Sequence, residues 1–450
     1  MAISISVVIP SYNSKHYLHR CLRALFAAND LPDEVIVVDD GSSEDVQDIA
    51  SLFPVQLLRS ASRRGPAFAR NLGAESATGD LLLFLDADVC VHVCTIEKVR
   101  KRFETAPELD ALIGSYDSRP SCPEFLSQYR NLLHSYVHQS GAERASTFWS
   151  GCGAIRRALF LEHSGFNQRF GRPAIEDIEL GYRLIRAQRQ ILLDRDIQVT
   201  HLKTWTFWGL VKTDIVDRGV PWTELILRDR FMPNDLNLHL SQRVSVALVF
   251  ILVALSCFIA VYSGGFLLVP LFAIVFGLLA RWWIEFATPQ TPRNASFMLV
   301  CAVALIAFFA WKEHMYGIIP PLLISPVLLL IRHRYNTKGN VPKGLRLFGI
   351  VYTCCSLGAA ALYLPASGLV YLCVGILATL GLMNSQFYLF LAANRGVPFM
   401  MAAIPFHLLY HFYNGLSFLI GATHYSWMQL TREAPAPPPV RPSPFRPPVG

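Results

Sequence analysis

Short β-branched and apolar runs alternate with amphipathic stretches along the first part of the chain. The pattern predicts strands at 3–9, 34–38, 55–59 and 80–85, and helices at 16–28, 45–52 and 66–76. Strands separated by helices predict a mainly parallel sheet covered on both faces, joined by right-handed crossovers. In such sheets chemistry gathers beyond the carboxyl ends of the strands. Three of these strands run into polar or conformationally special residues: Pro10-Ser-Tyr-Asn13, Asp39-Asp-Gly-Ser42 and Asp86-Ala-Asp88. Their ends are expected to converge on one crevice.

The second half has a different pattern. Val244–Ala280 and Leu347–Asn394 contain no Asp, Glu, Lys or Arg. Apolar segments fall at 244–262, 265–284, 295–311, 315–331, 347–365, 368–391 and 398–421. A span needs about 20 apolar residues, with a range of about 17–25. The pattern therefore predicts an all-α transmembrane domain over 244–421, with about six or seven hydrophobic segments. The last segment holds His407, His411 and Asn414 and reads either as a span or as a re-entrant element lining a polar cavity. Before these segments, 205–243 reads either as an amphipathic connector in the membrane interface or as a packed helix of the preceding domain. It carries Trp205, Trp208 and Trp222. After them, 422–450 is a tail that becomes Pro-rich and is expected to be disordered.

Charge adds orientation. The chain has 40 Lys and Arg against 33 Asp and Glu, a formal net charge of +7. Low charge density and 52% hydrophobic residues exclude an intrinsically disordered protein. The basic loop 332–346 carries Arg332, Arg334, Lys338, Lys343 and Arg346 and no acid, so it is expected in the cytosol. The N-terminus lacks a basic start followed by a long apolar run, so no signal peptide is expected. Together these predict an integral protein of the inner or plasma membrane with residues 1–204 folded in the cytoplasm. The ten cysteines show no paired CxxC spacing, which points to reduced thiols and no zinc site. The basic excess lies beside apolar segments and matches no nucleic-acid-binding motif, so no nucleic-acid partner is expected.

Asp86-Ala-Asp88 is the clearest chemical signal. Two carboxylates one residue apart at the end of an apolar strand can share a hard divalent cation, Mg2+ or Mn2+, that bridges to a diphosphate. With Val7-Val-Ile-Pro-Ser-Tyr-Asn13, Val37-Val-Asp-Asp-Gly-Ser42, Gly65-Pro-Ala-Phe-Ala-Arg-Asn71 and Gly79-Asp-Leu-Leu-Leu-Phe-Leu-Asp-Ala-Asp88, the sequence resembles the family 2 glycosyltransferases. Gly151-Cys-Gly-Ala-Ile-Arg-Arg157, Gly165-Phe-Asn167 and Glu176-Asp-Ile-Glu-Leu-Gly-Tyr-Arg-Leu184 extend the likeness through roughly the first half of the chain. It also resembles the membrane-anchored subset.

The resemblance implies a Rossmann-like α/β domain of the GT-A fold over 1–204. It implies that Pro10, Tyr12, Asp39, Asp40, Arg70 and Asp86 bind the donor, and that Asp88 and His201 hold the metal. Asp177 would be the catalytic base, with Glu176 and Trp222 on the acceptor side. The implied partners are a nucleotide-sugar donor, commonly a UDP-sugar, a lipid-linked or glycan acceptor, and membrane lipids. Processive polymer synthases of this family carry Gln-x-x-Arg-Trp. Here the segment reads Arg218-Gly-Val-Pro-Trp222, which disfavours processivity. The leading expectation is an inverting transfer of one sugar to a membrane-held acceptor. The alternatives are a polysaccharide synthase with coupled export, and a non-catalytic scaffold with a degenerate nucleotide-binding domain.

Overall fold

A computed structural model describes residues 3–262 and 368–431. The sheet is built from β1 (Ile5–Ser11), β2 (Glu34–Asp39), β3 (Gln56–Arg59), β4 (Leu81–Leu85), β5 (Val89–Val91), β6 (Ala111–Tyr116), β7 (Cys152–Arg156) and β8 (Ile191–His201). The helices around it are α1 (Lys15–Leu25), α2 (Gln47–Ala50), α3 (Pro66–Ser76), α4 (Thr95–Thr105), α5 (Phe125–Ser140), α6 (Arg157–Glu162) and α7 (Glu176–Arg186). Next come α8 (Phe207–Lys212), a π-helical segment Thr213–Gly219 and α9 (Val220–Asp229). The apolar helices α10 (Leu240–Tyr262), α11 (Gly368–Met383) and α12 (Ser385–Leu430) complete the described chain.

The strand order is β3-β2-β1-β4-β7-β6-β8-β5. The first four strands are parallel, as the alternating pattern predicts. The second half is mixed, which the pattern did not predict: β7 runs antiparallel to both β4 and β6, and β5 runs antiparallel to β8. The chain winds from β1 outward to β3, then returns to place β4 on the other side of β1. That reversal is a topological switch point, where a crevice opens beyond the strand ends.

Periodicity explains the helices. α1 buries Leu18, Cys21, Leu22 and Leu25, one stripe at helical spacing. α7 opens with Glu176, Asp177 and Glu179 and ends with Arg183 and Arg186, complementing the helix dipole at both ends. Phe84 of β4 packs against Phe148, Phe160 and Phe166, with centroids 5.0–6.4 Å apart. Asn71 of α3 ties that core to the next loop. Its Nδ2 donates to the Phe166 carbonyl and its Oδ1 accepts from the Phe166 amide, both at 2.8 Å.

Gly65 starts α3 with φ +99°, and a Cβ there would lie 2.7 Å from the Gly171 carbonyl carbon. Gly65→Ala is expected to cost about 1–3 kcal/mol. A lowered melting temperature in a thermal scan checks this, and an unchanged one refutes it.

The described chain divides into two compact units. One joins residues through 247 to 387–394 and the stretch from 403, and the other takes 248–262, 368–386 and 395–402. Among the described residues two helices are long and apolar enough to cross a membrane, Leu240–Ile259 and Ser385–Leu430. The second is kinked at Gly396, where φ is +84°. The predicted segments at 265–284, 295–311, 315–331 and 347–365 lie outside the described residues. In the connector, Trp205 is buried and receives Lys203 over its ring at 4.2 Å, whereas Trp208 is 76% exposed.

Candidate active site

The carboxyl ends of β1, β2 and β4 meet as the sequence predicts, but their acids are used unequally. Asp39 Oδ1 accepts from the Ser42 amide at 3.1 Å. Asp40 accepts from the amides of Arg64 and Gly65, at 2.9 and 2.7 Å. Both carboxylates are buried and fix loop backbone. Asn13, with φ +47°, joins the β1 loop to the β2 loop: its Oδ1 accepts from the Ser43 amide at 2.9 Å. Pro10 pairs in register with Val38. Tyr12 stays open to solvent, with the exposed Arg63 guanidinium 4.2 Å above its ring.

Arg70, on α3, reaches two acids from different elements. Its Nη1 donates to Glu176 Oε1 at 2.8 Å and its Nη2 to Asp86 Oδ1 at 2.6 Å. The guanidinium is buried. Burial opposes its charge, but Asp86 and Glu176 more than offset that and hold it firmly protonated. Burial in turn raises both acids, with Arg70 pulling the other way. Glu176 Oε2 also accepts from the Ala174 amide at 3.0 Å. Arg70 is thus a cross-brace from the end of β4 to the start of α7, and Glu176 is its far anchor.

Asp88 faces His201, the last residue of β8, with Oδ2 and Nε2 3.5 Å apart. Burial pushes the Asp88 carboxyl up, but His201 outweighs it and the net direction is down. His201 Nδ1 donates to Asn131 Oδ1 at 2.6 Å, which puts the proton on that nitrogen. The lowering of Asp88 corresponds to a ring that also carries a proton on Nε2 and donates it to the carboxylate; a cation bound between the two would take that proton's place on the Nε2 lone pair. A lone pair and a carboxylate oxygen facing each other suit a shared cation, and a neighbour holding the other ring nitrogen is usual for a metal-binding histidine. Among the described residues no group of three His, Cys, Asp or Glu forms a complete cage. The pair fits Mg2+ or Mn2+, which usually complete their shells with water and phosphate oxygens.

Asp177, second residue of α7, accepts from the Ser150 amide and hydroxyl at Oδ2, both at 3.1 Å, and from the Ile178 amide at Oδ1. Its charge is felt at Asp86 and Arg70, so it belongs to the same electrostatic site. Gly181 lets α7 approach this loop, since a Cβ there would lie 2.3 Å from the Phe148 amide nitrogen. Trp222 donates to the Tyr182 hydroxyl at 3.0 Å and packs against the cluster of Ile175, Tyr182 and Leu225 on the flank of α7. Cys152 is buried in β7, and burial pushes its thiol up to about 12, so it is no nucleophile.

Several neighbours carry no sequence motif. Tyr116 stacks on His201 with centroids 4.5 Å apart, and His134, His138 and Trp149 continue that cluster. Burial lowers His138 to about 4 and lowers His134 well below its usual value, so both rings are neutral. Lys203 is lowered by burial, partly offset by Asp88. Its position two residues beyond His201, on the same strand's continuation, was the one available signal.

Residues 6–163 match the family model described as Glycosyl transferase family 2. The match falls within the N-terminal α/β domain. The chain is 35% identical over 194 residues to an uncharacterized glycosyltransferase of Haemophilus influenzae, covering 40% of this chain and 62% of that protein. An uncharacterized glycosyltransferase of Bacillus subtilis, YfnE, is 35% identical over 249 residues, 53% of this chain and 60% of its own length. The chain therefore spans less than two thirds of either relative. A mannosyltransferase from Pyrobaculum calidifontis, solved with GDP-Man and Mn2+, aligns over 50% of this chain at 18% identity with a TM-score of 0.39, too slight a likeness to weigh.

Proposed function

We propose that the protein is an inverting, metal-dependent glycosyltransferase. It moves a sugar from a nucleotide-sugar, UDP-linked by our reading, to a membrane lipid-linked acceptor at the cytosolic face. One observation carries the reading: Asp86, Asp88, His201, Arg70 and Asp177, drawn from the loop after β4 and from β8, α3 and α7, form one charged site beyond the strand ends. The family match and the names of the relatives support the same chemistry.

The residues divide the work. Tyr12 presents an open ring for the base, with Pro10, Asp39 and Asp40 shaping the floor and loops around it. Asp88 and His201 would hold the divalent cation, which when bound supplies Lewis-acid neutralisation of the departing diphosphate. Asp86, held by Arg70, faces the ribose and diphosphate. Ser150 and the Ile178 amide fix Asp177, which takes the proton from an acceptor hydroxyl as it attacks the anomeric carbon. One displacement from the face opposite the diphosphate inverts that centre. Trp222 and Glu176 support the acceptor side through α7.

The membrane part of the reading rests on α10 and α12, which are long and apolar. In the unit that holds the catalytic domain, Phe406 of α12 packs 5.3 Å from Phe125 of α5. An acceptor carried in the bilayer would then arrive beside the transfer site. The test is a donor screen with the full chain in detergent, Mn2+ or Mg2+, and a membrane lipid extract. The reading expects nucleoside diphosphate release with one donor and a labelled lipid product. Metal-dependent nucleotide binding without any turnover on lipid, glycan or water would favour the scaffold alternative.

A further inference from the structure

Two arginines beside the crevice have no part in the transfer chemistry above. Arg63 and Arg64 are exposed, and neither is paired with a carboxylate among the described residues. Each lies over an aromatic ring instead. Arg64 Cζ is 3.7 Å from the centroid of the half-buried Phe68, and Arg63 Cζ is 4.2 Å from that of Tyr12.

A long side chain loses rotamer freedom when it is held, so a fixed backbone beneath it matters. The segment from Ser60 to Gly65 is laced to the end of β2. The Ser60 amide donates to the Asp39 carbonyl at 2.8 Å, and Ser60 Oγ donates to the Ser62 carbonyl at 2.6 Å. Gly41, with φ +72°, lets the segment close in, since a Cβ there would lie 2.7 Å from the Arg63 amide nitrogen. The next two amides, of Arg64 and Gly65, are the ones that the Asp40 carboxylate accepts from. Tyr12 is fixed from the other side. The Asp40 amide donates to the Ser11 carbonyl at 2.8 Å, and the Asn13 amide donates to Ser42 Oγ at 2.9 Å. Asp40 therefore sets the spacing of the two side chains: its amide holds the strand end that carries Tyr12, and its carboxylate holds the segment that carries Arg63.

Both backbones are pinned, yet both side chains stay open to solvent, with Tyr12 39% exposed. A guanidinium is flat and weakly hydrated, and it stacks on any aromatic face. A nucleobase offers such a face and also stacks on a tyrosine ring. We propose that Arg63 reads the donor's base. The base takes the Tyr12 face that the guanidinium covers, and the guanidinium closes over the base's other face, so one cation–π contact replaces another. This rests on the transferase reading and adds to it a specificity-determining residue. Arg64, occupied with Phe68, is left out of the exchange.

The test is calorimetric titration of the full chain in detergent with Mn2+, comparing UDP with its baseless analogue, ribose 5-diphosphate. Wild type is expected to prefer UDP by at least about tenfold. Arg63→Ala is expected to shrink that preference about three- to fivefold. Arg63→Lys, which keeps the charge but not the flat fork, should shrink it equally. Arg64→Ala should leave it unchanged. If wild type holds GDP instead, the same comparison is made with GDP. A preference unchanged in Arg63→Ala overturns the assignment. Equal weakening of both ligands, or recovery in Arg63→Lys, gives Arg63 to the diphosphate and also overturns it. Wild type that binds neither UDP nor GDP overturns the transferase reading, and this assignment with it. Binding with an intact preference in Arg63→Ala overturns the assignment alone.

Discussion

Arg70→Met is expected to abolish turnover and to remove about 3–5 kcal/mol of stability, the usual consequence of stripping one partner from a buried ion pair. Arg70 is the only cation bonded to both Asp86 and Glu176 among the described residues. Methionine fills much of the space but removes the charge that opposes burial at both carboxylates. Both already sit above the usual carboxylate range because of burial, and loss of Arg70 raises them further. An acid whose folded value is raised loses stability as pH climbs from its unfolded value, near 4, toward the folded one. The deficit against wild type should therefore be small near pH 4 and grow toward pH 7. Thermal unfolding of the detergent-solubilised chain across that range checks the sign. A deficit that shrinks with rising pH would show that Arg70 does not act through these acids.

The second large effect is Asp177→Asn. Asparagine keeps the shape, and its carbonyl can still accept from Ser150, so the loop between α7 and Ser150 should stand. The carboxylate's charge and proton-accepting capacity are lost, together with the bond that Oδ1 accepts from the Ile178 amide. Nucleotide binding should be unchanged, and kcat toward a hydroxyl acceptor should fall about 10²–10⁴-fold, the range of a general base. A phosphate acceptor is already ionised and should show a much smaller drop. Steady-state kinetics with both acceptor types separates the cases. Full activity toward a hydroxyl acceptor would remove Asp177 from the chemistry.

Much of this site is visible in the chain because it sits at strand ends. The runs ending at Ile9, Val38 and Leu85 are apolar, continuous and followed by Pro, Asp or Gly, so period and punctuation agree. The antiparallel half is harder to see. β7 is a short stretch containing Gly153, and its place between β4 and β6 depends on pairings far apart in sequence, such as Leu83 with Ala154. Arg70 resembles a donor contact in sequence, yet its partner Glu176 lies over a hundred residues away, and no local pattern announces the brace. Asp39 and Asp40 fall at the predicted crevice, but their carboxylates hold backbone amides, which side-chain type alone does not reveal. Trp205 and Trp208 illustrate the same limit: two indoles three residues apart in sequence, one buried and one exposed.

The central claim is that Asp88 and His201 let this domain hold a nucleoside diphosphate through a divalent cation. Calorimetric titration of UDP, and then GDP, into the full chain with Mn2+, Mg2+ or a chelator tests it most directly. The account predicts saturable binding of one nucleotide that needs the metal and weakens at least about tenfold in Asp88→Ala. Binding that ignores both the metal and the substitution, or no binding of either nucleotide, would contradict it.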